Sequence, residues 1–273
     1  MKTTFTERRK MWIEKQTSEY PLVNEIFGKS MQDAEKSVLS GKLTAYSFRT
    51  PGKQLSPDIC EAIYLALVPV TTSSFGADMT PYWRYRRANG YFSKLEDFTV
   101  IADMAGQMVG WTGYAVLHGD DFVNFYIDST GMVPSRQFGG VMREVLRNRL
   151  GKAYSQHRAT SRLILASARS ESPIFYKLMK KVLGGDHVYP RVGVNVPADV
   201  LTYGRHLAAW LEQADILEHD SLILRNAYTM VDELYDELPA TGDPDLDRLF
   251  RDELGPLDAY LLIGVVSDVI LKS

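Results

Sequence analysis

MVPSRQFGGV, residues 132–141, is the stretch on which the reading of this chain turns. An apolar, β-branched run ends just before it, and a helical spacing of apolar residues begins just after it. Pro134 sets the entry to the intervening loop. Gly139 and Gly140 allow another group to approach the main chain closely. The N–H groups at the start of a helix lack partners within the helix, and the helix dipole adds a partial positive charge there. A glycine-bearing junction from strand to helix therefore suits a phosphate group. The bland alternative is a tight turn in which the glycines only punctuate two elements. Arg143, Arg147, Arg149, Lys152, Arg158 and Arg162 follow in close succession. They read equally well as a solvated helix face and as a local positive field for a polyanion.

Working upstream, Phe98 to Met104 reads as a strand, Ala105-Gly106-Gln107 as a turn, and Val109 to Leu117 as a second strand. Gly119-Asp120-Asp121 makes another turn before a third strand, Phe122 to Asp128. Three consecutive antiparallel strands are expected. Downstream, Val141, Val145, Leu146 and Leu150 predict a helix from Gly140 to Leu150, with Gly151 as its stop. Leu163 to Ala168 is a short apolar strand. Ser172-Pro173 starts another helix, which carries Ile174, Phe175, Leu178, Met179, Val182 and Leu183 on one face and ends at Gly184-Gly185. Three strands, helix, strand, helix is the order of a mixed α/β sheet rather than a doubly wound one.

The flanks are less regular. Residues 1–40 read as helical, anchored by Trp12, Tyr20, Leu22, Val23, Ile26 and Phe27, and Leu43 to Phe48 as a first strand. Ser56-Pro57-Asp58 opens a helix that runs through Ile59, Ala62, Ile63 and Leu67. Residues 71–91 read as a long loop. Past Asp186, Val188 to Val196 suggests a strand, Ala198 to Glu218 a helix and Leu222 to Tyr228 either one. Ala240 to Pro244 is a turn region, Asp245 to Leu254 a short helix, and Tyr260 to Leu271 is strand-like. The expected organisation is residues 1–95 as a helical region plus the first core strand, 96–185 as the core, and 186–273 completing the sheet.

Composition removes several classes. At 273 residues the chain is one large domain or two small ones. Hydrophobic residues make up 45% and charged residues 24%, an ordinary globular balance. The net charge of -3 provides no overall pull toward nucleic acid or an anionic membrane, so neither partner is expected. Cys60 is the single cysteine, which excludes an intrachain disulfide and thiolate-rich metal sites. Arg8, Arg9 and Lys10 are not followed by an apolar segment of secretory type. The longest apolar runs, Ile63 to Val70 and Tyr260 to Val266, fall far short of the roughly 20 residues that cross a bilayer. A cytoplasmic protein is the expectation. Gly28-Lys29-Ser30 imitates the end of a P-loop, but Val23 stands where its first glycine belongs. His118, His157, His187, His206 and His219 are scattered, and no metal is expected.

From Phe98 to Gly184 the chain resembles the GNAT superfamily of acyl-CoA-dependent N-acyltransferases. Gly106-Gln107-Met108-Val109-Gly110 resembles the hairpin between that family's second and third strands. Arg136-Gln137-Phe138-Gly139-Gly140-Val141 resembles its pyrophosphate loop, with Val141 where Gly or Ala is usual. Ser172-Pro173-Ile174-Phe175-Tyr176-Lys177-Leu178 resembles its helix after the fifth strand. The resemblance implies a mostly antiparallel twisted sheet flanked by helices, with N- and C-terminal extensions. It implies transfer of an acyl group, acetyl first, from acetyl-CoA to a small-molecule or peptide amine by direct attack, without a metal. Met132 and Val133 would hold the pantetheine arm, and Arg136, Gln137, Phe138, Gly139, Gly140 and Val141 the diphosphate. Tyr176 is the candidate acid for the leaving thiolate. Asp128 is the first choice of base, with Asp120, Asp121, Asn124 and Glu171 as alternatives. Trp83 and Arg84, within Tyr82-Trp83-Arg84-Tyr85-Arg86-Arg87, are candidates to line an acceptor pocket. A homodimer is compatible with all of this. The rivals are a GNAT-like protein that binds CoA without catalysis, an interaction protein with neither ligand, and an acyltransferase with an oxygen acceptor.

Overall fold

A computed structural model describes residues 20–137, 139–160, 162–185 and 187–268. The chain forms two compact units, Met1–Thr112 with Thr130–Met142, and Gly113–Ser129 with Arg143–Ser273. Nine strands among the described residues are hydrogen-bonded in the order β1-β2-β3-β4-β5-β6-β9-β7, with β8 also on β9. These are Glu35–Leu39 (β1), Leu43–Arg49 (β2), Asp97–Ala102 (β3), Met108–His118 (β4), Phe122–Met132 (β5), Leu163–Ser170 (β6), Val188–Tyr189 (β7), Ile223–Leu224 (β8) and Ala259–Val265 (β9). Most pairings are antiparallel, β1 with β2, β2 with β3, and β9 with β6, β7 and β8. Only β5 with β6 is described as parallel. The helices are Val23–Phe27 (α1), Pro51–Gln54 (α2), Pro57–Phe75 (α3), Thr80–Ala88 (α4), Val141–His157 (α5), Pro173–Leu183 (α6), Ala198–Trp210 (α7) and Pro244–Glu253 (α8). The mixed α/β architecture, mostly antiparallel with flanking helices, is the one the GNAT resemblance implies.

In the first unit the core is aromatic. Phe27 stacks on Phe48 at 4.6 Å, and Tyr64, Trp83, Tyr91, Phe92 and Phe98 meet in tilted and edge-on pairs. Three buried polar side chains form a chain of hydrogen bonds: Ser47 Oγ bonds Thr99 Oγ1 at 2.7 Å, and Thr99 Oγ1 donates to Asp97 Oδ1 at 3.0 Å. Ser56 caps α3 as expected, its hydroxyl accepting from the Ile59 amide.

In the second unit, β5 and β6 pair from Phe122↔Leu163 to Ile127↔Ala168. The α5 crossover connects these parallel strands, as parallel neighbours require. β9 then packs antiparallel on β6, from Leu165↔Val265 to Ser170↔Tyr260. Phe122 and Tyr126, four residues apart on one strand face, meet Tyr203 and Trp210 of α7. Phe125, on the other face, meets His157 at the end of α5.

Several expectations are corrected. In the described part of residues 1–40 the helical pieces are α1, a 3-10 turn at Gly28–Asp33 and the first residue of another at Ser40–Lys42. Glu35–Leu39 is instead an edge strand, because the turn through Gly41 and Lys42, both at positive φ, folds it back onto β2. Residues 1–19, Trp12 among them, lie outside the described residues. Residues 71–91 are not a loop. α3 continues to Phe75 past Pro69, and α4 and a 3-10 turn at Tyr91–Lys94 follow. α5 runs through Gly151 to His157, since Gly151 is buried and packing outweighs its weak propensity. The strand expected over Val188 to Val196 shrinks to two residues. α7 ends at Trp210, well before Glu218. The last strand stops at Val265.

Candidate functional site

β5 leads directly into the loop. After Val133, residues Pro134–Arg136 make one 3-10 turn, and α5 begins at Val141. The segment is open to solvent: Ser135, Arg136 and Gly139 are exposed, and Gln137 and Gly140 half-buried. It joins a strand to a helix, as the sequence implied. Gly140 has φ +78, the left-handed region that glycine enters without strain. A left-handed residue just before a helix turns successive amides toward one side, forming an anion-binding concavity. Glu144 in the first turn of α5 counters part of that field. Phe138 lies outside the described residues.

The base of the loop is tied down. The Val133 amide donates to Val109 O at 2.9 Å, and the Arg136 amide to Val133 O at 2.9 Å. Met132 O accepts twice, from Ser74 Oγ at 2.5 Å and from Gln137 Nε2 at 2.8 Å. These bonds use groups assigned by resemblance to the pantetheine arm, so the Val133 amide and Met132 carbonyl already have protein partners. Arg136 Nη2 lies 3.5 Å from Asp103 Oδ2. The other oxygen of Asp103 closes the turn between β3 and β4 by accepting from the Ala105 and Gln107 amides, each at 3.0 Å. Ser74 and Asp103 are contributors the sequence reading missed. Asp103 is legible as a turn residue, but its meeting with an arginine 33 positions later is not.

The second unit holds the candidate proton-transfer groups. β5 kinks at Ser129, φ +71, just past the last step paired with β6. Asp128 precedes that kink, half-buried and with a partner of its own. Tyr176 on α6 is 2% exposed, and its hydroxyl donates to Pro190 O at 2.7 Å. Its ring stands edge-on to Phe250 at 5.8 Å. Glu171, between β6 and the Ser172 cap of α6, is 6% exposed. Burial, with the charge of Asp258 adding to it, pushes its carboxyl up to about 8. Asp120 and Asp121 are exposed turn residues, and Asn124 is buried with Nδ2 lacking a partner.

The remaining candidates separate cleanly. Trp83 is 1% exposed with Nε1 donating to Thr71 Oγ1 at 2.9 Å, which makes it a core residue, while Arg84 is exposed. Burial raises the Cys60 thiol, which lowers its nucleophilic fraction. Of the basic run, Arg147 donates to Lys181 O at 2.9 Å and Arg149 is buried; Arg143, Lys152, Arg158 and Arg162 are exposed. No helix of the described residues is long and apolar enough to cross a membrane.

No protein-family model matches the sequence, and no curated protein matches it. Solved structures with a similar arrangement include the NatC complex bound to Gag peptide and CoA, at 9% identity, TM-score 0.39, covering 75% of this chain and 91% of that one. Another is Arabidopsis thaliana Naa50 in complex with a bisubstrate analogue, at 12% identity, TM-score 0.39, covering 81% and 97%. A third is the GNAT family N-acetyltransferase YhbS from Escherichia coli in complex with CoA, at 10% identity, TM-score 0.31, covering 53% and 70%. Likenesses of this size carry nothing about activity or substrate.

Proposed function

We propose that this chain transfers an acyl group, acetyl first, from acyl-CoA to a primary amine by direct attack. The observation that carries the reading is the exposed loop between β5 and α5, entered through Pro134 and left through the left-handed Gly140. Amides at a helix start, a glycine turn and the exposed Arg136 form a main-chain cradle for a diphosphate. The GNAT resemblance of residues 136–141 supplies the identity of that diphosphate. In the proposed reaction the amine nitrogen attacks the thioester carbonyl, the C–S bond breaks, and no acyl-enzyme forms. Tyr176 can protonate the thiolate only by releasing Pro190 O.

That commitment of the Tyr176 proton favours a second reading, a protein that binds acyl-CoA without turning it over. Calorimetry of the full chain with acetyl-CoA and with S-acetylpantetheine, which lacks the diphosphate, tests the shared premise. Acetyl-CoA is expected to bind at least tenfold more tightly, and Gly140→Ala to abolish most of that advantage. Equal affinity for the two, or no binding of either at millimolar concentration, removes both readings. Thiol release over a panel of primary amines then separates catalysis from binding alone.

A further inference from the structure

Arg136 is the single charged residue between Thr130 and Met142, so the chain itself gives this loop one positive charge. The fold sets a negative charge against it. Arg136 Nη2 lies 3.5 Å from Asp103 Oδ2, with the arginine side chain 45% exposed and the aspartate side chain 12% exposed. Among the described residues Asp103 is the side-chain partner that Arg136 has.

Asp103 is held in place by its own turn. Its Oδ1 accepts from the Ala105 and Gln107 amides, its amide donates to Gln107 O at 3.0 Å, and its carbonyl accepts from the Gly106 amide at 3.0 Å. That turn is anchored in turn by the segment before α1: the Val23 amide donates to Gly106 O and the Met108 amide to Pro21 O, each at 2.9 Å. The carboxylate is therefore a stationary charge, and the long arginine side chain is the partner that can move. The pair contributes little to stability, since a single exposed contact of this length is among the weakest of ion pairs. Nor does the turn need it, because the turn is closed by Oδ1 and Arg136 meets Oδ2.

What the pair changes is the field at the loop. A carboxylate beside the guanidinium offsets much of its attraction for an anion a little further out. The loop amides carry no net charge, and they favour an anion whose oxygens fit their geometry. A bare guanidinium attracts any polyanion in proportion to its charge. Selectivity is a difference of affinities, and a repulsive group widens it.

We infer that Asp103 sets the selectivity of the loop: by occupying Arg136 it leaves recognition of the diphosphate to the main-chain amides and disfavours polyanions that bring charge without the fit. The inference rests on the acyl-CoA reading above and adds to it a residue, on the turn between β3 and β4, that acts by rejection.

The test is calorimetry of the full chain with acetyl-CoA, S-acetylpantetheine and inorganic tripolyphosphate, for wild type, Asp103→Asn, Arg136→Ala and the double variant. Asn keeps an oxygen for the Ala105 and Gln107 amides, so the melting curve is expected to stay unchanged. Asp103→Ser, whose hydroxyl can also accept in such a turn, takes its place if Asn disturbs the fold. At low salt Asp103→Asn is expected to bind acetyl-CoA about threefold and tripolyphosphate at least about tenfold more tightly, and S-acetylpantetheine as before. Its affinity for tripolyphosphate should also fall more steeply with salt than that of wild type. In the Arg136→Ala background the same substitution should gain less than about threefold, because the released guanidinium produces most of the effect. Unchanged or weaker tripolyphosphate binding in Asp103→Asn, or an equal gain with and without Arg136, overturns the inference. The acyl-CoA reading then still stands on the advantage of acetyl-CoA over S-acetylpantetheine in wild type. Absence of that advantage overturns the acyl-CoA reading, and the inference falls with it.

Discussion

Gly131 shows how much a single position near the loop is constrained. A methyl group there would sit 2.5 Å from the Trp111 ring and 3.1 Å from Ser74 Oγ. Trp111 is completely buried and Ser74 holds Met132 O, so neither can yield easily. Gly131→Ala is expected to destabilise the first unit by roughly 1–3 kcal/mol, the usual range for overpacking. Thermal unfolding should show a loss of roughly 2–4 °C per kcal/mol. Acetyl-CoA affinity should fall as well, because the displaced strand end is the root of the loop. An unchanged melting curve would mean that Trp111 can swing aside. None of this is legible in the sequence, where Gly131 is simply the residue before the stretch 132–141. Its neighbours come from α3 and β4, and local spacing says nothing about which ring will press on which backbone.

At the scale of elements, α3 is the instructive error. Thr71-Thr72-Ser73-Ser74 has the composition of a loop, since short hydroxyl side chains compete with helical hydrogen bonding. In the folded chain each of these hydroxyls has a task. Thr71 Oγ1 donates to Leu67 O at 2.6 Å and accepts from Trp83 Nε1. Thr72 Oγ1 accepts from the Met79 amide, Ser73 Oγ bonds Tyr20 at 2.8 Å, and Ser74 Oγ reaches Met132 O. Tertiary partners thus replace the water that would otherwise solvate a loop. Thr71→Val is expected to cost about 1–3 kcal/mol by leaving the buried Trp83 N–H without its acceptor. Thr71→Ser should retain most of the stability in the same urea titration. By contrast, the caps at Ser56 and Ser172 were legible because a serine followed by proline acts within one helical turn. The strand-loop-helix junction at residues 132–141 was legible for the same reason: its turn chemistry is written in adjacent residues.

For the whole molecule, the pH dependence of stability follows from two carboxyl groups of opposite behaviour. Glu171 holds its proton to about 8 when folded, while in the unfolded chain it is an ordinary glutamate. Between those values the folded state carries the extra proton, so stability falls as pH rises across that window and levels off above it. For Asp258, burial opposes ionisation, but the Asn226 and Gly255 amides and Arg225 outweigh it and lower the carboxyl below the usual aspartate range. Its contribution is present at neutral pH and is lost as the pH drops through that lower value. Wild type should therefore be more stable at pH 6 than at pH 9, by on the order of 2 kcal/mol in urea titrations. Glu171→Gln should remove most of that difference and exceed wild type at pH 9. A flat profile in wild type would show that the Glu171 carboxyl is open to water.

The sequence by itself determined the order of strands and helices between residues 98 and 184, two helix caps and the glycine junction, because periodicity, caps and turns act between neighbours in the chain. The roles considered for Tyr176 and Glu171 came from the GNAT resemblance rather than from that order. Only the tertiary structure decided that Glu171 is buried within the field of the Asp258 charge, that the Tyr176 proton is held by Pro190 O, and that Met132 O is occupied from two sides. Desolvation and long-range hydrogen bonds depend on which distant segments exclude water from a side chain, and no local pattern of residues encodes that.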